Sequence, residues 1–335
     1  MLLLTNSVAE ELFQVLDSTT VILQDALEIS YLEALYETGE NLFQHEVLQV
    51  EEVSAEQVAD LKKAYASVAL DDYTPEDIRR ALQLALLKGM KHGIQTNHQM
   101  TPDSIGFILA YFIEKLTKEK AEVAILDPAC GTGNLLSTIT NQLLLTKDKV
   151  VQATGIEVDD LLISLALVSS DLQGQRTHLL HQDGLSNLLV DPADIVVSDL
   201  PVGYYPDDER ANTYELKQAS GHSFAHYLFI EQGMRYTKPG GYLFFLIPDS
   251  MFADSEFPRV DRFIKKHGHM QGIIKLPETL FKSEQSRKSI LILQKQSAET
   301  KAPKEVLLAN LPTLSDPAVT APILSNIEKW FNENK

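Results

Sequence analysis

The chain of 335 residues is 44% hydrophobic and 23% charged, which is the composition of an ordinary globular protein and argues against disorder or fibrous architecture. Its formal net charge of −18 argues against binding nucleic acid through bulk electrostatics, because phosphate contacts need Lys and Arg; a DNA or RNA site would have to be a local basic patch. Cys130, the only cysteine, excludes an intramolecular disulfide and a cysteine-built zinc site, and the lack of an export signal or a long apolar run predicts a cytoplasmic protein without a membrane anchor.

Residues 1–95 are predicted to form an all-helical N-terminal domain. Apolar side chains recur at helical spacing from Val8 and Leu12 onward, with few Gly or Pro interruptions. Near the end of this region, Thr74 is placed as the N-cap of a helix with proline in its first position, and this helix should run to about Lys91. The acidic surplus is concentrated here, so the surface is either simply solvated or a contact surface for a protein partner or a second copy.

A further helical segment precedes the first predicted strand. Met100-Thr-Pro-Asp103 has the pattern of an N-cap followed by proline, and apolar residues at Ile105, Leu109 and Phe112 continue it as a helix. On the residues alone, Thr101 is the N-cap of this helix.

Residues 96–335 are predicted to form an α/β domain, because short β-branched or aromatic runs alternate there with helical stretches. Such alternation implies a mostly parallel sheet wound on both faces, with ligands bound at the carboxyl ends of the strands. The predicted strands are Val123–Leu126, Val150–Ile156, Ile195–Val197, Tyr242–Ile247, Met270–Lys275 and Ser289–Leu293, followed by Glu305–Leu308 and a short terminal helix.

The most specific segment is Asp127-Pro-Ala-Cys-Gly-Thr-Gly-Asn134, which joins an apolar strand to a Gly-rich turn and a helix that begins near Leu135. Gly131 and Gly133 permit positive φ and a close approach of the backbone to a ligand, and Asp127 can hold a ligand's amino group through an ordered water or a neighbouring amide. A dinucleotide loop is the alternative, but its three-glycine spacing is missing and no Lys-Ser/Thr follows for a triphosphate.

This segment resembles motif I of the class I S-adenosylmethionine-dependent methyltransferases, in the form found in amino-methylating DNA enzymes. The resemblance implies a Rossmann-like methyltransferase domain with S-adenosylmethionine as its cofactor. The motif residues expected at the cofactor are Asp127, Pro128, Ala129, Gly131, Gly133 and Asn134.

Two later segments extend the predicted cofactor site. Glu157, at the end of the second strand, is placed to accept hydrogen bonds from ribose hydroxyls, with Val158 beside it; standing alone, such an acid would be an ordinary surface residue. Asp183-Gly184 resembles the family's third motif, whose acid meets the adenine amino group, although Asp-Gly is also a common turn. Ile156 and Leu185 are expected to flank the adenine.

Thr101 has a second interpretation under the same resemblance. In the modification subunits of type I restriction systems and related adenine methyltransferases, a Thr-Pro segment shortly before motif I contacts the methionine end of the cofactor. The resemblance therefore implies that Thr101 also lies at the cofactor.

The predicted catalytic segment is Val197-Ser-Asp-Leu-Pro-Val-Gly-Tyr-Tyr205. At this place amino-methylating enzymes carry Asn/Asp/Ser-Pro-Pro followed by an aromatic residue. There a side-chain carbonyl and a backbone carbonyl accept the protons of the target amine and direct its lone pair toward the sulfonium methyl. The aromatic ring stacks on the target base, which in duplex DNA must be flipped out.

This segment matches the family only in part. Asp199 and Pro201 agree with the motif, and Asp199 is expected at both the amine and the cofactor. Leu200 replaces the first proline and Val202 replaces the aromatic residue, so the motif is degenerate. Either Tyr204 or Tyr205 is expected to supply the stacking ring; the alternative is that both are ordinary loop residues.

The remaining polar residues predict no metal site. His222 and His226 lie one helical turn apart but lack a third ligand. One local basic cluster could face a phosphate backbone, or could be a solvated helix face. It consists of Arg259, Arg262, Lys265, Lys266, Lys282, Arg287 and Lys288.

The resemblance covers most of the chain after residue 97 and implies an N-methyltransferase similar to adenine-specific DNA methyltransferases. The chain leaves no room for a large target-recognition domain, so DNA specificity would need a partner subunit. Two alternatives stay open. One is amine methylation of RNA or protein, and the other is an inactive cofactor-binding protein that acts through partner contacts.

Overall fold

The N-terminal region folds into four helices in the computed structural model, which describes residues 7–91, 100–281, 283–312 and 317–334. These helices are α1 Val8–Leu27, α2 Tyr31–Gln44, α3 Ala55–Tyr65 and α4 Pro75–Met90. Each begins at a Ser or Thr whose hydroxyl accepts the N–H of the third helical residue, while that residue's side chain accepts the N–H of the cap. Thr74 caps α4 as predicted, and the helix ends at Met90, next to the predicted end at Lys91.

Three sequence predictions concern residues outside the described ranges. They are the domain boundary at residue 95, the expected lack of an export signal at the start of the chain, and the place of Lys282 in the basic cluster. Among the helices that are described, none is both long enough and apolar enough to cross a membrane.

Eight strands of the described chain form one sheet in the order β3-β2-β1-β4-β5-β7-β6-β8. The strands are β1 Glu122–Asp127, β2 Val150–Glu157, β3 His178–His181, β4 Ala193–Asp199, β5 Thr237–Pro248, β6 Gly268–Lys275, β7 Lys288–Lys295 and β8 Leu307–Asn310. Neighbouring strands are parallel except where β7 pairs with β5 and with β6. The mostly parallel sheet predicted from the sequence is therefore confirmed.

The sequence pattern does not predict β3. This strand lies at one edge of the sheet, and none of its four residues is fully buried. An apolar run is the signal of a buried strand, and an edge strand of this length does not carry one. The last strand is displaced from its prediction, since β8 begins two residues later than the expected Glu305.

Helices cover both faces of the sheet. They are α5 Asp103–Leu116, α6 Asn134–Leu144, α7 Asp160–Leu172, α8 Asp208–Ala211, α9 Ala225–Arg235, α10 Phe257–His267 and α11 Pro317–Asn334. Because successive residues of a strand point to opposite faces, Ile195 and Phe244 pack in the core that includes α5, α6 and α11, whereas Val196 and Phe245 pack in the core that includes α9 and α10. These two cores make the sheet doubly wound, as predicted.

The helical region packs against the α/β region through α7. Leu12, Ile78 and Leu82 lie in one buried cluster with Val168 and Leu172 of α7. This packing brings α4 beside α6, the helix that follows the Gly-rich turn. The helical region is therefore part of the surroundings of that turn rather than a detached acidic module.

Candidate functional site

Four predicted acids lie at the carboxyl ends of neighbouring strands. Asp127, Glu157 and Asp199 are the last residues of β1, β2 and β4, and Asp183 follows β3. These strands are consecutive in the sheet order, so the four acids occupy the same edge. This is the edge at which open α/β sheets bind ligands.

The Gly-rich turn after β1 has a backbone that requires glycine. Gly131 and Gly133 have φ of 55° and 74°, in the left-handed region that strains residues with a Cβ. The Cys130 N–H donates to the Ile156 carbonyl at 2.9 Å, which ties the turn to β2. A Cβ at Gly131 would meet no atom within 4 Å, so the turn exposes its backbone to open space of the kind that a ligand can enter.

The Glu157 carboxylate binds this turn through hydrogen bonds. Its Oε2 accepts the Gly131 N–H at 2.9 Å, and its Oε1 accepts the N–H groups of Val158 at 2.8 Å and Asp159 at 3.0 Å. A carboxylate oxygen can accept two hydrogen bonds. Oε2 makes a single bond with the described residues, and so it keeps capacity for a ligand hydroxyl.

Asp127 is buried beneath the turn, with 1% of its surface exposed. It accepts the Ala129 N–H at 3.0 Å. Burial, together with the smaller effect of the nearby carboxylates of Glu157 and Asp199, raises the pKa of Asp127 to about 7. The charge of Asp127 therefore changes near neutral pH, and a cation bound beside it would favour the ionised form.

Asp183 is held by side chains from the loop after β4. Its Oδ1 accepts the Leu185 N–H at 2.9 Å, and its Oδ2 accepts the Tyr205 hydroxyl and lies 3.7 Å from Nε of Arg210. Burial, and then the Asp183 carboxylate, raise the pKa of Tyr205. Tyr205 is buried, so its ring presents little surface on which a base could stack.

Gly184 lies where the loop after β3 packs closely against the Gly-rich turn. A Cβ there would lie 1.9 Å from the Pro128 carbonyl, so the loop after β3 approaches the Gly-rich turn as closely as a backbone can. Ile156 and Leu185, which are expected to flank an adenine, are both buried in the core. Val158, in contrast, is exposed at the surface of the site.

Asp199 uses both of its carboxylate oxygens. Oδ2 accepts the Thr101 hydroxyl at 2.8 Å, and Oδ1 accepts the ammonium of Lys288 in an ion pair. The expectation that Thr101 is the N-cap of α5 is wrong, because Pro102 occupies that position and makes no side-chain cap. The Thr101 hydroxyl is instead directed to Asp199, which brings the Thr-Pro segment and the predicted catalytic segment together.

Leu200 is built into the core rather than merely substituted for a proline. Its side chain is buried, and its N–H donates to the Leu246 carbonyl at 3.2 Å. A proline would lack that N–H. The departure from the family motif therefore has a local structural role.

The loop after Leu200 returns to the surface. Pro201 and Val202 are exposed, and Tyr204 is 63% exposed. One face of the Tyr204 ring stacks on Phe224, with centroids 4.6 Å apart and planes 18° from parallel. Of the two tyrosines expected to supply a stacking ring, Tyr204 is the accessible one.

The sequence patterns do not single out Arg79, which joins the helical region to this site. Arg79 of α4 is 2% exposed, donates to Asn134 Oδ1 at 2.7 Å, and forms ion pairs with Glu76 and Asp103 at 2.8 Å each. The Asn134 amide in turn donates to the Thr101 carbonyl at 3.2 Å. Arg79 lies three residues before Leu82, which is on the apolar face of α4, and this spacing is the signal that could have identified Arg79.

Five of the six members of the basic cluster that the structure describes are paired with acids. Arg259 pairs with Glu256, Lys265 with Asp261, Lys266 with Glu215, Arg287 with Glu278 and Lys288 with Asp199. His222 pairs with Asp208, and burial lowers the pKa of His226 to about 4. In the part of the chain that the structure describes, no group of three or more His, Cys, Asp or Glu side chains could hold a metal ion.

Two families match the chain. Residues 10–90 match the YtxK N-terminal helical domain, and residues 89–329 match the N-6 DNA methylase family. An uncharacterized protein of Bacillus subtilis, YtxK, is 43% identical over 323 residues, which cover 96% of this chain and 97% of that protein.

Solved structures agree with these matches. A candidate class I S-adenosylmethionine-dependent methyltransferase from Listeria monocytogenes is 68% identical to this chain and superposes on it with a TM-score of 0.93. The match covers 98% of this chain and 100% of that chain. A type I restriction-modification methyltransferase subunit from Streptococcus thermophilus is 15% identical, with a TM-score of 0.64 over 96% of this chain and 74% of that chain. At that identity the second structure supports the fold alone.

Proposed function

Because the chain belongs to the N-6 DNA methylase family of S-adenosylmethionine-dependent methyltransferases, we propose that it transfers a methyl group to an amino nitrogen, with adenine in DNA as the substrate. The observation that carries this proposal is the placement of Asp127, Glu157 and Asp199 at the carboxyl ends of three adjacent strands. The open backbone of Gly131 lies beside them.

We define the cofactor end of the site as Asp127, Gly131, Glu157 and Asp183. These residues fit S-adenosylmethionine chemically: Glu157 Oε2 has capacity for a ribose hydroxyl, and the buried Asp127 carboxylate suits the amino group of the methionine part. Asp183 is the acid proposed for the adenine amino group. The cofactor would supply an electrophilic methyl group on a sulfonium, and the protein's part is to bind and orient it.

We define the amine end as Asp199, Pro201 and Tyr204. An amine that donates to Asp199 has its lone pair directed away from the carboxylate, and the positive charge that develops on nitrogen during transfer is stabilised by the acid. The Thr101 hydroxyl holds Asp199 in orientation, and the exposed part of the Tyr204 ring is the proposed stacking surface. Tyr205 touches the site only through Asp183, whose carboxylate accepts the Tyr205 hydroxyl.

The charge distribution supports a role for a partner in delivering the substrate. The net charge is −18, and five members of the basic cluster are paired with acids. Phosphate binding needs unpaired cations, so a DNA-reading partner subunit is part of the proposal. An amine on RNA or on a protein is the second candidate; RNA would need a partner for the same reason as DNA, whereas a protein substrate carries no phosphate backbone.

The first experiment measures S-adenosylmethionine binding by calorimetry. Glu157→Ala removes the ribose acceptor and the hydrogen bond from Gly131, and we expect an affinity loss of about a hundredfold. Asp160→Ala is the matched control, because the Asp160 side chain is 89% exposed and lies three residues away on α7; its affinity should equal that of wild type. Absence of binding by folded wild-type protein would overturn the proposed function.

The second experiment identifies the acceptor. S-adenosylmethionine with a labelled methyl group is incubated with the protein and, in parallel, with duplex DNA, RNA or lysate protein. Label in DNA that is lost in Asp199→Ala supports the proposal. Label in RNA or protein alone would replace DNA as the substrate, and binding without transfer to any acceptor would identify a cofactor-binding protein.

A further inference from the structure

Lys288 reaches the proposed amine end from a distant part of the chain. It is the first residue of β7, in register with Pro248 of β5, and its ammonium donates to Asp199 Oδ1. The two side chains are 24% and 19% exposed, so the ion pair is largely sheltered from water. Four other members of the basic cluster, Arg259, Lys265, Lys266 and Arg287, make ion pairs with acids outside the predicted site, whereas Lys288 pairs with the acid of the motif itself.

The bond that Lys288 makes is the bond proposed for the substrate. A target amine would donate an N–H to a carboxylate oxygen of Asp199, and Lys288 donates an N–H to that carboxylate already. The other oxygen accepts the Thr101 hydroxyl at 2.8 Å. Each oxygen of Asp199 therefore already accepts one hydrogen bond, and the bond at Oδ1 comes from a full positive charge.

The charge of Lys288 opposes the same step. As a methyl group passes from a sulfonium to a neutral amine, positive charge moves onto the nitrogen, and an unpaired Asp199 would stabilise it. An Asp199 neutralised by Lys288 cannot do so to the same extent, and the ammonium adds repulsion at short range.

We propose that Lys288 is an internal mimic of the substrate amine, which occupies the amine position on Asp199 and keeps the site closed to amines until it is displaced. This inference rests on the proposed function. Lysine suits the role because a single compact charge on a flexible four-carbon stem can move aside while the backbone stays in place. The start of β7 is itself fixed, since the Ser289 hydroxyl donates to Asp249 at 2.6 Å and the Asp249 N–H donates to the Arg287 carbonyl at 3.0 Å.

The test compares two cofactor analogues that differ at the reacting centre. Sinefungin carries an amine where S-adenosylmethionine carries its methyl sulfonium, whereas S-adenosylhomocysteine has a neutral thioether. The ratio of their dissociation constants reports on the amine position, because the contacts of the adenosine and amino-acid parts are shared and cancel.

We expect Lys288→Met to strengthen sinefungin binding about tenfold while the affinity for S-adenosylhomocysteine changes less than twofold, since a charge-assisted hydrogen bond becomes available. Lys288→Arg keeps the charge and should keep the wild-type ratio. Asp199→Asn should abolish the gain when combined with Lys288→Met. Lys275→Met is the matched control at the end of the neighbouring strand β6, where the lysine is exposed, and should leave both affinities unchanged.

An unchanged ratio in Lys288→Met, including equal weakening of both ligands, overturns the inference. Thermal unfolding of each variant checks the fold, and Lys288→Gln is measured as well, so that a single unstable variant does not decide the result. Failure of the proposed function has a different signature, because folded wild-type protein would then bind neither analogue.

Discussion

The cofactor end and the amine end lie at the same edge of the sheet, yet their acids are held in different ways. Glu157 is bonded by backbone N–H groups of its own loop and of the adjacent Gly-rich turn, and Asp127 by the N–H two residues along the chain. Asp199 is bonded by side chains 98 and 89 residues away, Thr101 and Lys288. The first arrangement pairs the acids with uncharged backbone N–H groups, whereas the second pairs one oxygen of Asp199 with the charged ammonium of Lys288.

This difference indicates that the two ends are under separate structural control. The cofactor end depends on short loops whose geometry follows from glycine and from hydrogen bonds to backbone. The amine end depends on a polar network that runs from α4 through Asn134 and Thr101 to Asp199. The predictions below either cut that network or alter one end while leaving the other intact.

Cutting the network at Arg79 has the largest expected effect. Arg79→Met leaves Asp103 and Glu76 partly buried without their main counter-ion, and we expect the free energy of unfolding to fall by about 4 kcal/mol. Arg80→Met is the matched control: it is the next residue of α4 and also pairs with Glu76, but its side chain is 53% exposed, so the loss should stay below about 1 kcal/mol. Urea unfolding measures both.

Equal stability of the two variants would show that Arg79 does not anchor the helical region to the site. A second measurement separates anchoring from simple stability. If Arg79 acts through Asn134 and Thr101, folded Arg79→Met at low temperature should shift the ratio of sinefungin to S-adenosylhomocysteine affinity, whereas Arg80→Met should keep the wild-type ratio.

The sequence predicts the cofactor end better than the amine end, for a physical reason. The end of the strand, the glycine turn and the start of the helix are encoded within eight consecutive residues, so the loop after β1 can be inferred from its neighbours. The partners of Asp199 come from segments that only the fold brings together, and no local pattern distinguishes Lys288 from other lysines in its cluster. Thr101 illustrates both cases: its place before α5 is predicted, but its hydroxyl serves Asp199 instead of the helix.

Restoring the family proline is expected to harm the amine end. Leu200→Pro removes the N–H that donates to Leu246 and part of a buried side chain, which should cost about 3 kcal/mol of unfolding free energy. Val202→Phe restores the aromatic residue at an exposed position and should change stability by less than about 0.5 kcal/mol. Thermal or urea unfolding distinguishes the two.

A stable Leu200→Pro variant with methyl-transfer activity would contradict this account. It would mean that the amine end is dormant because of the motif residue itself. In that case the ion pair of Lys288 would not be what limits access to Asp199.

The cofactor end should respond to pH through Asp127. Its native pKa is raised to about 7, so the carboxylate is largely protonated below that pH and must lose a proton to pair with a cationic amino group. Affinity for S-adenosylmethionine should therefore fall as pH falls through about 7, by about tenfold between pH 8 and pH 6. Asp127→Asn should remove the dependence, and calorimetry in buffers of different ionisation enthalpy would detect the released proton. A pH-independent affinity in wild type would contradict the assignment of Asp127 to the amino group.

The smallest effect concerns Asp183, whose situation resembles that of Asp199. The Tyr205 hydroxyl occupies the carboxylate oxygen that a cofactor adenine would use, so Tyr205→Phe frees an acceptor at the cost of one hydrogen bond. We expect unfolding free energy to fall by about 1 kcal/mol and affinity for S-adenosylhomocysteine to rise about threefold. Tyr204→Phe is the control, because that ring is exposed and keeps its stack on Phe224. A weaker affinity in Tyr205→Phe would mean that the tyrosine orients Asp183 for the cofactor rather than competing with it. The two acids would then differ, because Tyr205 would orient Asp183 for its ligand whereas Lys288 would block Asp199.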